Sequence, residues 1–399
     1  MTDTSDIPGV IDAADLTPAP DPESAIRNPQ SAIENTDPLA AIVEWDYGTA
    51  YDLLLSAHTL LNPRPHGIAA PWAAGVRKRL APQAQRDFKL FYGSSHSYRA
   101  YTPMHLVLEM DQPKDARRFL DYVEAMPDER FFYRMHFPYI ADETVTRVTE
   151  KALCGEKVKD SEVEAYRRSV NRIVESSAAP AAEVRRLFEE MADPVGTKKR
   201  WMAVMREYYS AFFAEEEKRE RPVLERMVAE AQELAARSTI TDTMERVSHG
   251  FTISEKIDLQ RLVLAPSIWC HPFTVRMPLA ERELLVLWGA HPAGYKLVPG
   301  ELVPDEALLV LRALGDATRL RLLRLIAAEP RSLQSLAHEV KLSLPTVSHH
   351  IRELRGAGLI RLELGGSGRE SKYTVRWPSA QQAFRELEEF VQPGVKRDA

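Results

Sequence analysis

Apolar residues recur at helical spacing through most of the chain from Ala40 onward. Tyr51-Asp-Leu-Leu-Leu-Ser-Ala-His-Thr-Leu-Leu reads as a helix that stops at Asn62-Pro63. Pro71-Trp72 opens another that runs to about Leu80, with proline in the favoured first turn. Residues 115–125, 160–176 and 180–191 are further helices, the last with Val184, Leu187, Phe188 and Met191 on one face. The longest helical pattern starts near Thr197 and extends toward Arg237. Its first half carries Trp201, Val204, Met205, Tyr208, Tyr209, Phe212 and Phe213, a wide apolar stripe that suits a buried helix. Lining an apolar ligand pocket is the alternative use of that stripe. The following run, Glu215-Glu-Glu-Lys-Arg-Glu-Arg, reads as a solvated face, and Pro222 is expected to break or kink the helix. After Gly250 come two short apolar runs, 260–266 and 283–289, bounded by Pro and Gly. They predict two strands of a small sheet, and Pro299-Gly300 marks a linker.

The last hundred residues carry a denser pattern. Asp316 can cap a helix that continues to Ala328, with Leu320, Leu323, Ile326 and Ala327 facing inward. Ser332 can cap a short second helix whose inner residues are Leu333, Leu336, Ala337 and Val340. The turn Lys341-Leu342-Ser343 follows, and a third helix starts at Ser343 or Leu344 and runs to about Arg355. Two short helices joined by a tight turn form a helix-turn-helix. On the third helix Val347, His350, Ile351 and Leu354 share one face and should pack inward, so His350 reads as an interior histidine. Thr346, Ser348, His349, Arg352 and Arg355 point elsewhere. They offer hydroxyls, an imidazole and guanidinium groups, which hydrogen-bond to base edges and phosphates. Residues 359–364 and 370–376 then read as paired strands around Gly365-Gly-Ser-Gly-Arg369. This is a hairpin wing whose tip cation, Arg369, can reach phosphates or the minor groove.

Charge sharpens this reading. The 399 residues carry a net charge of −6, which by itself argues against a basic nucleic-acid binder. Residues 305–376, however, hold twelve Lys and Arg against eight Asp and Glu, a local balance of +4, which leaves −10 on the rest. A basic module on an acidic body is the distribution expected when only the module touches DNA. The longest apolar runs, such as 284–288, are far too short to span a membrane. No signal peptide is visible at the N-terminus, so a cytoplasmic location is expected. The two cysteines, Cys154 and Cys270, form no Cys-x-x-Cys pair, and neither a zinc site nor a disulfide is expected. The spacings of Cys270-His271, His249 and His291 match no ligand pattern. Residues 1–38, rich in Pro, Asp, Ser, Thr and Ala, read as a disordered tail, with a docking peptide as the alternative. The resulting domains are a tail at 1–38, a helical body at 39–300 and a DNA-binding module at 301–399.

The C-terminal residues resemble the ArsR-type winged-helix transcriptional regulators. The resemblance rests on Leu314-Gly-Asp-Ala-Thr-Arg-Leu-Arg-Leu-Leu, on Leu344-Pro-Thr-Val-Ser-His-His-Ile-Arg-Glu-Leu-Arg-Gly-Ala-Gly-Leu-Ile and on the Gly-Arg-Glu-Ser-Lys-Tyr wing, and it covers about 305–390. It implies a dimer of winged helices on a two-fold-related operator, with base contacts from Thr346, Ser348 and His349. Metal-sensing members use a cysteine pair on the helix before the recognition helix, or carboxylates and histidines on the last helix. Here the former helix has no cysteine and residues 379–391 have no histidine, so no metal and no cofactor are expected. Tyr51-Asp-Leu-Leu-Leu-Ser-Ala-His, Pro71-Trp72, Arg77-Lys-Arg-Leu80 and Leu262-Val-Leu-Ala-Pro-Ser resemble the large N-terminal region of longer ArsR-type regulators. That resemblance names no ligand.

The expected fold is mainly α with minor β: a helical N-terminal domain with a small β element, followed by a winged helix-turn-helix. The expected function is a sequence-specific DNA-binding regulator, a repressor rather than an activator. It would act as a homodimer on double-stranded DNA, with a small-molecule effector or the dimer interface assigned to the body. Candidate DNA contacts are Ser343, Thr346, Ser348, His349, Arg352, Arg355, Arg369 and Lys372. One alternative is an enzyme-like body with the winged helix as an attachment. No catalytic constellation appears between 40 and 300, and Gly93-Ser-Ser-His-Ser lacks the Gly-x-Ser-x-Gly elbow, so no enzyme is expected. The other alternative is an interaction protein whose winged helix binds protein.

Overall fold

The computed structural model describes residues 37–93, 103–128, 130–131, 142–174, 180–248, 250–253, 257–289, 291, 295, 297, 305–365, 370–378 and five positions from 381 to 388. The tail predicted at 1–38 lies outside them except for Asp37 and Pro38. These begin a 3-10 turn, Pro38–Ala41, where the Asp37 carboxylate accepts from the Leu39 N–H.

Strands β1 (Val43–Trp45), β2 (Phe251–Ile253), β3 (Arg261–Ser267), β4 (Thr274–Ala280) and β5 (Glu283–Gly289) precede the last hundred residues, which contribute β6 (Ile360–Gly365) and β7 (Glu370–Val375). The central sheet has the order β1-β3-β5-β4, parallel except for the antiparallel pair β4–β5. The two predicted strands are β3 and β5. Both are buried on both faces, which is why their sequences are continuous apolar runs rather than alternating ones. Strand β1 is too short to show a period, and its pairing with β3 is far from local. Side chains alternate across the sheet and divide the interior. Val263, Ala265, Leu285 and Leu287 enter one core, and Leu262, Leu264, Leu284, Val286 and Trp288 enter the other.

The first core belongs to helices α1 (Thr49–Leu61), α2 (Ala70–Arg77), α3 (Pro82–Tyr92), α4 (Met104–Leu108) and α5 (Ala116–Ala125). A satellite of α6 (Glu143–Leu153), α7 (Asp160–Val174) and α8 (Ala181–Met191) has its own small core around Val148, Tyr166, Leu187 and Met191. The chain then runs through α9 (Pro194–Tyr208), a π-turn (Tyr209–Phe213) and α10 (Ala214–Ala235) without a break. The aromatic stripe is core: Trp201 packs against Phe119 and Phe131, and Tyr208 packs against Phe88, Phe212 and Phe213.

Two expectations for this helix need correction. Helix α10 runs through Pro222, so of the expected break or kink the break does not occur. The charged run is not uniformly solvated, because Glu217 and Glu220 are buried. Helical spacing puts these two on the face that carries Val223, Leu224 and Met227. Glu217 Oε1 accepts from Thr49 Oγ1 and from the Ala116 N–H, which ties the starts of α1 and α5 to α10.

Helix α11 (Ile240–Val247), capped by the Thr239 hydroxyl, leads into β2. The second core then takes in α12 (Asp305–Leu314), α13 (Ala317–Ala328), α14 (Leu333–Val340) and α15 (Leu344–Gly356). Leu309, Leu322, Ile326, Leu336, Val347, Ile351 and Leu354 join Trp45, Leu264 and Val286 in one continuous apolar cluster. Strand β2 pairs in parallel with β6, so the wing sheet has three strands in the order β2-β6-β7. On α13 the inner face is Leu322, Leu323 and Ile326. Leu320 and Ala327, expected inside, are exposed, because the face that meets the rest of the module is rotated from the one inferred by spacing alone. Among the described residues no helix is long and apolar enough to cross a membrane.

Candidate nucleic-acid interface

Helices α13, α14 and α15 each start on a capping side chain. The Asp316 carboxylate accepts from the Arg319 N–H at 2.9 Å, Ser332 Oγ from the Ser335 N–H at 3.3 Å and Ser343 Oγ from the Thr346 N–H at 3.4 Å. Caps of this kind satisfy backbone donors that have no partner inside the helix. Helix α14 ends at Lys341, which has φ +56° and sits in the left-handed region. There the N–H of Leu342 reaches back to the Ala337 carbonyl, which closes the turn. The chain therefore leaves α14 and enters α15 within three residues, a helix-turn-helix in geometry as well as in pattern.

Val347, Ile351 and Leu354 hold α15 against the second core. His350 is partly buried beside them. Its Nδ1 lies 3.9 Å from Asp316 Oδ1, and burial lowers its affinity for a proton, opposed by the Asp316 charge. The backbone N–H of Arg319 in turn holds the Asp316 carboxyl below its usual range.

The candidate contacts fall into three groups. Ser343, Thr346, His349 and Arg352 are exposed, and Ser348 is half-buried beside them. From Ser343 to Arg352 this face is about 14 Å long at 1.5 Å per residue. Ser343 Oγ and Thr346 Oγ1 are also 2.7 Å apart, so the cap and the first outward hydroxyl form one unit. Lys372 is exposed on β7, opposite Glu363 in the wing register, while Arg369 lies outside the described residues.

Arg355 is placed differently. It is only partly exposed, and its guanidinium is disfavoured by burial, opposed by Tyr373 and reinforced by repulsion from Arg276 and Arg352. Arg276 belongs to β4, so the C-terminal turn of α15 is turned toward the body rather than outward. Gly356 makes this explicit. A Cβ there would lie 3.1 Å from Phe273 Cζ and 3.4 Å from Pro272 Cγ, so a side chain would fit only if these neighbours gave way slightly. The sequence gives no sign of this contact, since Phe273 and Gly356 are 83 positions apart.

A capped helix pair, an outward polar and basic face and a strand-paired wing define a winged helix-turn-helix module of the kind found in transcription regulators. Comparison with known proteins agrees. The family described as "Helix-turn-helix domain" matches residues 314–363. Over 72 residues the chain is 38% identical to the HTH-type transcriptional regulator KmtR of Mycobacterium tuberculosis, which covers 17% of this chain and 55% of that protein. Over 64 residues it is 33% identical to the uncharacterized HTH-type transcriptional regulator MJ1325 of Methanocaldococcus jannaschii, which covers 16% of this chain and 72% of that protein. The chain thus spans about half the length of the first relative. No solved structure matches it. The chain belongs to the helix-turn-helix transcriptional regulators. It also belongs to the family of unknown function DUF5937, which matches residues 50–265, more than half of its length.

Proposed function

We propose that this protein is a sequence-specific DNA-binding repressor of the ArsR type, acting as a homodimer in the cytoplasm. The observation that carries the reading is the outer face of α15. Thr346, His349 and Arg352 are exposed on a helix whose opposite face is locked by Val347, Ile351 and Leu354. In this reading Thr346, Ser348 and His349 meet base edges in the major groove, and Ser343, Arg352, Arg369 and Lys372 hold phosphates. The exposed apolar side chains Leu311 on α12 and Trp377 and Phe384 after β7 support a dimer contact through these segments. Residues 39–300 act as a sensing and positioning body rather than as an enzyme, and 301–399 as the reader. An effector held by the body acts through different affinities for two conformations of the reader.

The test starts from a duplex recovered from a random-sequence library by the full chain. His349→Ala and Thr346→Ala should each cost roughly 1–3 kcal/mol of base preference at one position. Lys372→Ala should weaken all sequences alike and flatten the salt dependence. Equal losses on selected and scrambled duplexes for His349→Ala remove it from the readout. Failure to recover any duplex overturns the reading.

A further inference from the structure

Two carboxyl groups lie fully buried in the body, Asp52 on α1 and Glu220 on α10. Asp52 accepts hydrogen bonds from Ser267 Oγ, from the Ile268 N–H at 3.1 Å and from the Trp269 N–H at 3.4 Å. Glu220 Oε1 accepts from Trp269 Nε1 at 2.6 Å, while its Oε2 has no hydrogen-bond partner among the described residues. Both side chains therefore hold the same short segment at the end of β3. The charged and titratable groups around the pair are Glu216, Arg219, Tyr208, Cys270, Tyr295 and, through the Ile268 carbonyl, His291. The nearby cation, Arg219, is paired with Glu216 and stacked over the Tyr295 ring at 5.0 Å. Burial raises the affinity of both carboxyls for a proton, and for Glu220 the Asp52 charge adds to the effect. Two buried carboxylates near one another resist ionising together.

The held segment leads directly to the reader. The Cys270 N–H donates to Ser267 Oγ at 3.1 Å, and the Phe273 N–H to the Cys270 carbonyl at 2.7 Å. His66 Nδ1 lies 2.9 Å from the His271 carbonyl, and the His66 ring meets Phe273 edge-on at 5.2 Å between centroids. Phe273 then abuts Gly356 in the last turn of α15, and the 3-10 turn Arg64–His66 packs on the same helix. From Ser267, which touches Asp52, to Phe273, which touches α15, is six residues.

We propose that the Asp52–Glu220 pair is a proton switch, wired to the recognition helix α15 through the segment 267–273. With Asp52 ionised, its bonds to Ser267, Ile268 and Trp269 are charge-assisted, and the segment presses Phe273 onto Gly356. With Asp52 protonated, those acceptor bonds weaken, the segment loosens, and the C-terminal turn of α15 is released from the body. The device biases two positions of one helix, which is what an allosteric coupling requires.

The experiment is hydrogen exchange of the full chain across the neutral range, corrected for intrinsic exchange, read on peptides spanning 270–273 and 352–359. Both peptides should lose protection together on acidification. Asp52→Asn should abolish the step in both and leave them in the loose state. Glu220→Gln, which keeps the bond to Trp269, should leave the step in place, because Glu220 still holds its proton where Asp52 titrates. His58 and His66, lowered by burial to about 4 and about 3, titrate below this window. A step that persists in Asp52→Asn belongs to another group and overturns the proposal, and so does a step seen in 270–273 alone. If Asp52→Asn does not fold, Ser267→Ala replaces it: losing a hydrogen bond that favours ionised Asp52 should move the midpoint to higher pH, and an unmoved midpoint overturns the proposal. A second arm rests on the DNA-binding reading: affinity for a library-selected duplex should change at least about fivefold with pH in the wild type relative to Asp52→Asn. Recovery of no duplex tells against that reading and leaves the exchange result standing.

Discussion

Ser343 shows how much one hydroxyl settles in this protein. It caps the recognition helix and contacts Thr346, the first outward residue of that helix. Ser343→Ala should lower stability by about 1 kcal/mol, read as a shift in the urea midpoint. The buried histidines give a second prediction at this scale. Burial lowers His58 to about 4 and His66 to about 3, whereas histidines of the unfolded chain take up protons near ~6.5. Between those values the unfolded state binds more protons, so their contribution to stability is full above ~6.5 and is lost as pH falls below it. Asp52 has the opposite sign. Its raised folded-state proton affinity means the native state binds more protons above the usual carboxylate range, so its contribution declines as pH rises toward neutrality. The two slopes oppose each other in the wild type. Asp52→Asn should therefore steepen the rise of the urea midpoint with pH between about 4 and 6.5, and His58→Gln should flatten it.

At the scale of elements, the decisive contact is α15 against the connection between β3 and β4. A side chain at Gly356 crowds Phe273 and Pro272. Gly356→Val should cost about 1–3 kcal/mol through overpacking. In combination with Phe273→Ala the loss should be smaller than the sum of the two single losses, measured by chemical denaturation of all four proteins. Strict additivity means the two residues do not meet in solution. The helix-turn-helix itself was legible for a local reason. Asp316, Ser332 and Ser343 stand where caps belong, and Leu336, Val340, Val347, Ile351 and Leu354 repeat at helical spacing. Arg355 shares the outward spacing of Thr346 and Arg352, yet it lies against β4, because its surroundings are set by a partner strand about eighty residues away. Glu217 and Glu220 sit in a charged run that reads as solvated, for a similar reason. Spacing assigns them a face, but only the neighbours decide that the face is dry.

At the scale of the whole molecule, body and reader share one apolar core and one sheet. Strand β2 covers the edge of β6, and Arg361 on β6 pairs with Glu245 on α11. A fragment of residues 301–399 should therefore have a lower thermal midpoint than the full chain. It should also associate with rising concentration, because an open strand edge and the apolar face of α12 to α15 become exposed. Calorimetry and light scattering decide this, and a monomeric fragment as stable as the full chain would count against it. The chain order of helices, their caps, the wing hairpin and the charge contrast between body and reader were determined by the sequence, because each depends on residues a few positions apart. The parallel pairing of β1 with β3 and β2 with β6, the burial of Asp52 and Glu220, and the seat of Gly356 on Phe273 were decided only by the tertiary structure. These join segments 83 to 219 positions apart along the chain, and their energy comes from removing a particular shared surface from water, which no local pattern encodes.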